Sequence, residues 1–99
     1  MNTAAQQQAA PGLVFVYRSS SGRCRRVEGF LAQVLQRRAN HGTFRMYRVD
    51  ADDHPELAER FKVEQVPTLL VVQDRRVRGR LAEPRGCRDI ERFLAPWLR

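Results

Sequence analysis

The chain has 99 residues, of which 42% are hydrophobic and 29% charged, and it carries a formal net charge of +7. That size allows one domain with a modest core, and no run approaches the ~18 apolar residues needed to span a membrane. The start, M-N-T-A-A-Q-Q-Q-A-A-P-G, lacks a cationic end and an apolar stretch, so no signal peptide and no membrane partner are expected, and the default location is cytoplasmic.

Of the 18 basic residues, only Lys62 is a lysine. A basic chain attracts nucleic acid or anionic ligands. Here the arginines are spread over separate segments, from Arg23 and Arg26 through Arg37, Arg75 and Arg80 to Arg85 and Arg92. There is no zinc spacing, no aromatic single-strand motif and no long basic helix, so nucleic acid is not an expected partner.

Residues 1–12, rich in Gln and Ala, read as a loose tail, and the folded domain is expected over residues 13–99. Residues 13–17, L-V-F-V-Y, form a short apolar run, the pattern of a strand buried on both faces. A small polar loop, S-S-S-G-R-C, follows. Val27, Phe30, Leu31, Val34 and Leu35 then recur at helical spacing, which predicts an amphipathic helix to about Arg38. Asn40-His41-Gly42 should end it with turn chemistry. Residues 44–50, F-R-M-Y-R-V-D, read as a second strand with mixed faces.

Pro55 after Asp53-His54 marks a helix start, because proline at the first helical position gives up no needed N–H. Asp52 and Asp53 are expected to cap that helix, whose buried stripe is Leu57, Ala58 and Phe61. Val66-Pro67-Thr68 leads into a third strand over residues 69–73. Asp74-Arg75-Arg76 is a hairpin turn without the favoured Gly, and residues 77–81 return as a fourth strand. After Pro84-Arg85-Gly86, a last helix carries Ile90, Phe93, Leu94, Trp97 and Leu98. Pro96 should loosen its final turn. The order is β-α-β-α-β-β-α. The fold class is α/β, with a mixed central sheet covered by helices on both faces and a right-handed first crossover.

This order resembles the thioredoxin family over residues 13–98. L-V-F-V-Y-R-S-S-S-G-R-C resembles the family's active-site strand and its C-G-P-C loop. V-D-A-D-D-H-P-E-L-A-E-R-F-K-V-E-Q-V-P-T-L-L-V-V resembles the middle section with its cis-proline motif, and D-I-E-R-F-L-A-P-W-L the C-terminal helix. The resemblance implies a minimal version of the fold, with no room in residues 1–12 for the family's first strand and helix. The departures carry as much information. The family's nucleophilic cysteine falls on Ser21, its motif proline on Arg23, the tryptophan before the motif on Ser20, and a buried aspartate on Phe15. Only the second cysteine is kept, as Cys24.

Thiol–disulfide exchange needs an attacking thiolate and a second thiol to resolve the mixed disulfide. Ser21 cannot attack, since a hydroxyl is too weakly acidic, and reads as the N-cap of the helix. Cys24 lies in the helix's first turn with Arg23, Arg25 and Arg26 nearby, which favours a thiolate if solvent reaches it. Two readings stay open: a thiol-redox protein working at best through Cys24 alone, and a redox-inactive binding module. Dithiol oxidoreductase activity is not expected in either.

By resemblance, the Val66–Pro67 bond is cis and faces the S-G-R-C loop, and the backbone before the proline pairs with an extended substrate segment. Gly22, Arg23, Val66, Pro67 and Thr68 are therefore the substrate-binding candidates, with a protein segment or a glutathione-like thiol as partner. The alternative is a turn that serves the fold alone. A third idea is an anion site at the helix start, built by Arg23, Arg25 and Arg26. Cys87 opens the last helix and is either a free thiol or a partner for Cys24, which would need Cα atoms within ~7 Å. His41 and His54 have no acid or cysteine at metal spacing, so no metal and no cofactor is expected.

Overall fold

A computed structural model describes residues 10–98. Its elements are β1 (Gly12–Tyr17), α1 (Gly22–Gln36), β2 (Arg45–Asp50), α2 (Pro55–Arg60), β3 (Thr68–Gln73), β4 (Arg76–Ala82) and α3 (Cys87–Leu94). Most of the expected tail, residues 1–9, lies outside the described residues. Its last residue, Gly12, is already paired in β1.

The sheet order is β2-β1-β3-β4. β1 runs parallel to β2 and antiparallel to β3, and β3 and β4 form the antiparallel hairpin. This is the expected mixed sheet. β1 sits inside it, so Leu13, Val14, Phe15 and Val16 are all buried. Alternation sends Leu13 and Phe15 to one face and Val14 and Val16 to the other. On the first face they meet Val27, Leu31 and Val34 of α1, Leu69 and Val71 of β3, and Ile90 and Leu94 of α3. On the second they meet Val49, Leu70 and Ala58 of α2. β2 is an edge strand, which leaves Met46 and Tyr47 about half exposed. Among the described residues, no helix is long and apolar enough to cross a membrane.

Several local expectations are corrected. α1 stops at Gln36, and Arg37–Thr43 continues as a 3₁₀ helix, so Asn40 and Gly42 lie in a tightened turn. Buried Asn40 accounts for this: its amide donates to the Arg37 carbonyl at 2.7 Å, and its oxygen accepts from the Thr43 hydroxyl at 2.9 Å. Neither Asp52 nor Asp53 caps α2. His54 holds that position without a side-chain bond, and Asp52 is drawn instead to Arg18 Nε at 3.1 Å. α3 ends at Leu94, and Trp97 and Leu98 follow in a turn that still bonds back to the Leu94 carbonyl. Phe93 approaches β4 because Gly79 has no side chain: a Cβ there would come within 3.0 Å of its ring.

The β3–β4 turn is Asp74-Arg75 alone, with Arg76 already in the strand. Both turn residues have left-handed backbone, φ 54° and 64°. That is the two-residue hairpin geometry that suits the sheet's twist, occupied by residues that strain to adopt it. Arg75→Gly is expected to stabilise the fold by about 1 kcal/mol, the relief of left-handed strain less the extra freedom glycine gives the unfolded chain. Thermal unfolding should read this as a rise of about 4–8 °C in Tm.

Candidate functional site

The site forms where β1 ends. Its register with β3 runs to Val16 opposite Thr68, so the loop after Tyr17 leaves the sheet beside Val66 and Pro67. Arg18 and Val66 line one cavity of about 560 Å³ together with Ala51, Pro55 and Val63. The fold thus brings the Ser21–Cys24 loop and the Val66–Thr68 segment to one end of the sheet. Another cavity, of about 520 Å³ and more apolar, lies at the opposite end, around Gly12, Val72 and Arg75, away from the thiol.

Ser21 has extended backbone and its Oγ accepts the Cys24 N–H at 3.2 Å. It is the N-cap of α1, as expected from sequence, and no charged or thiol group shares its role. Cys24 is 2% exposed. Its sulfur points inward and accepts the Arg18 N–H at 3.4 Å. It also borders a small cavity of about 260 Å³ beneath Tyr17, Glu28 and Arg48. Arg48 lies over the Tyr17 ring, 4.9 Å from its centre, and pairs with Glu28 at 2.6 Å. Phe15, where the family pattern has an aspartate, is fully in the core and stacks on Tyr17 with ring centres 5.3 Å apart. No carboxylate therefore takes that buried place.

The three arginines near the helix start do not share one site: Arg25 turns away, while Arg23 and Arg26 line a common cavity. Arg25 turns back to the Ser19 carbonyl at 3.3 Å. Arg23 crosses instead to Glu83, at 3.3 Å. Gly22 is exposed, and a Cβ there would meet only the tip of Arg25 at 3.8 Å, so no close approach requires glycine.

The Val66–Pro67 peptide bond is cis. The Pro67 carbonyl accepts the Glu83 N–H at 2.7 Å. The buried Thr68 hydroxyl donates to the Gln65 carbonyl at 2.6 Å, so it braces the segment and offers nothing outward. Between these two committed carbonyls, the N–H and C=O of Val66 have no hydrogen-bond partner among the described residues. Glu83, which sequence reasoning missed, holds this arrangement from both ends: its backbone anchors Pro67 and its carboxylate anchors Arg23. It does so with φ 49°, a left-handed conformation that few non-glycine residues adopt. The only hint in the sequence is that it is the sole acidic residue between Asp74 and Asp89.

Cys24 and Cys87 are both free. The Cys87 thiol donates to Gln33 Oε1 at 3.1 Å and lies 3.7 Å from the Phe30 carbonyl. Those residues sit further along α1, at least about 9 Å of helix rise beyond Cys24, so the two thiols occupy different places. The side chain of His41 lies outside the described residues. His54 Nδ1 is 3.4 Å from Glu56.

A family model described as Thioredoxin matches residues 2–96. Thioredoxin M3, chloroplastic, of Oryza sativa subsp. japonica is 33% identical over 64 residues, which is 65% of this chain and 35% of that protein. The chain therefore spans about a third of the length of that curated relative. Among solved structures, Trxlp from Edwardsiella tarda EIB202 superposes with a TM-score of 0.76 at 25% identity, covering 98% of this chain and 92% of that one. Reduced desulfothioredoxin from Desulfovibrio vulgaris Hildenborough gives 0.74 at 22% identity over 97% and 89%, a likeness of fold.

If Ser21 acts only as a cap, Ser21→Ala should cost about 1 kcal/mol in chemical denaturation, the usual loss when a capping oxygen is removed. The variant should leave the reactivity of Cys24 in the native state unchanged.

Proposed function

The chain belongs to the thioredoxin family, and from that premise we propose that it is a binding module which uses the family's peptide groove without the family's dithiol chemistry. One observation carries this reading. Val66 presents a free N–H and C=O beside Pro67, between neighbours whose carbonyls are already used. An extended protein segment laid along Val66 would satisfy both groups at once, adding a strand to the site. Arg18 and Val63 flank it along the same cavity.

The chemistry of the loop supports the same reading. Ser21 has no sulfur to form the first bond, and Cys24 is covered and turned inward. Neither the attack nor the resolution of a mixed disulfide has its group in place. In an insulin disulfide-reduction assay the protein is expected to stay at background, while Ser21→Cys gains activity on the same scaffold. In parallel, an extended peptide should shift the amide resonance of Val66 on binding, and Val66→Pro, which removes that N–H, should abolish binding. Undiminished binding by a folded Val66→Pro variant would sink the groove reading.

A second reading has one observation in its favour. Cys24 borders a cavity of about 260 Å³, large enough for a small reagent to approach. In that reading Cys24 acts as a single thiol: its thiolate attacks oxidised glutathione, forms a mixed disulfide and releases one glutathione thiolate. Under the binding reading, native Cys24 should resist iodoacetamide and oxidised glutathione until the chain is unfolded, as followed by mass spectrometry. Rapid labelling of the folded protein at Cys24 would favour the monothiol.

A further inference from the structure

Next to the Val66 groove lies a second cavity of different character. It measures about 440 Å³. Val27, Phe30 and Pro84 give it an apolar floor, while Arg23, Arg26 and Arg85 stand around it against a single carboxylate, Glu83. Three guanidinium groups against one carboxylate leave an excess of positive charge. The guanidinium groups of Arg26 and Arg85 have no ion-pair partner among the described residues, and the nearby Asp89 carboxylate is engaged by the Arg85 backbone N–H at 2.9 Å. Arg23 has one, but the contact is open: its side chain is 62% exposed and that of Glu83 37%. An exposed pair of this kind contributes little and exchanges readily.

The cavity is joined to the groove through Glu83. The same residue donates its N–H to Pro67 and offers its carboxylate to Arg23. We propose that this cavity selects the protein segment bound along Val66 for acidic side chains flanking its paired residue. A carboxylate from the segment replaces Glu83 at Arg23 or joins Arg26 and Arg85, and its aliphatic stem lies on Val27, Phe30 and Pro84. The apolar floor suits a Glu or Asp side chain better than a bare, strongly hydrated phosphate. Planar guanidinium forks match a carboxylate in two hydrogen bonds. In the free protein Glu83 is the internal stand-in that keeps Arg23 aimed across the gap. The inference rests on the groove reading, and adds to it which segments the groove prefers.

The test uses the full chain, labelled with nitrogen-15, and two blocked nonapeptides. One reads Gly-Thr-Val-Val-Val-Glu-Glu-Thr-Gly, and the other carries Gln in place of both Glu. Both should move the Val66 amide. The acidic peptide should bind roughly five- to tenfold more tightly at low salt, as expected for two exposed charge contacts, and should also move Arg23, Arg26 and Arg85. That advantage should fade as salt is raised. The double variant Arg26→Glu, Arg85→Glu, in which both changed side chains are on the surface, should erase the preference and leave the affinity for the Gln peptide unchanged. Equal binding of the two peptides, with Val66 shifted in both, would overturn the acidic selection and leave the groove standing. Shifts confined to Arg26 and Arg85 would overturn the groove reading and the coupling to it. Binding by neither peptide would overturn the groove reading.

Discussion

The central position of β1 is the constraint on which the other features depend. Its four inner residues are covered on both faces, by α1 and α3 on one side and α2 on the other. Burial of such side chains contributes about 1.5–3 kcal/mol each, and a shift of register by one residue would exchange the two faces. The strand therefore has one place to be. Its parallel partner β2 and antiparallel partner β3 then have one alignment each. The end of β1 fixes where Ser21 starts α1, and the start of β3 puts Val66 and Pro67 at the same end of the sheet. The site is a consequence of the sheet before it is a matter of its own residues.

That separation explains how the site's parts can change independently. Ser21 still caps α1 through an oxygen, a service that does not need a nucleophile. Phe15 gains full burial and a stacked neighbour in Tyr17. A carboxylate at that depth would need a partner, and the apolar surroundings supply none. The inner surroundings of the thiol are therefore apolar. The backbone edge at Val66, whose donor and acceptor are properties of every residue, is untouched by such substitutions. Main-chain donors and acceptors do not depend on which side chains carry the chemistry.

Much of this was legible from residue order. The apolar run at 13–17, the helical spacing from Val27 to Leu35, Pro55 as a helix start and Val66-Pro67-Thr68 each gave an element of the right type in the right place. What escaped depends on contacts between distant parts of the chain. The 3₁₀ extension after Gln36 follows from Asn40, a residue whose turn tendency is visible in the sequence but whose burial is not. Asp52 was drawn from a cap to an ion pair with Arg18, thirty-four residues away in sequence. Left-handed backbone at Asp74, Arg75 and Glu83 had no glycine to announce it. In the site, the Ser21 cap was readable because it is local. The Arg23–Glu83 link was not, because it spans sixty residues.

Glu83 holds a backbone conformation whose cost is to be set against what its contacts return. A left-handed conformation costs an ordinary residue about 1–2 kcal/mol, and an exposed ion pair returns about 0–1 kcal/mol. The pair alone does not offset the strain. The 2.7 Å bond from its N–H to the Pro67 carbonyl contributes as well, yet any residue at that position would donate it. What glutamate adds over glycine is therefore small in stability and specific in placement: one negative charge between Arg23 and the segment that holds Pro67. Its contribution is thus electrostatic: it sets the local charge balance beside Arg23 and the cis-proline segment.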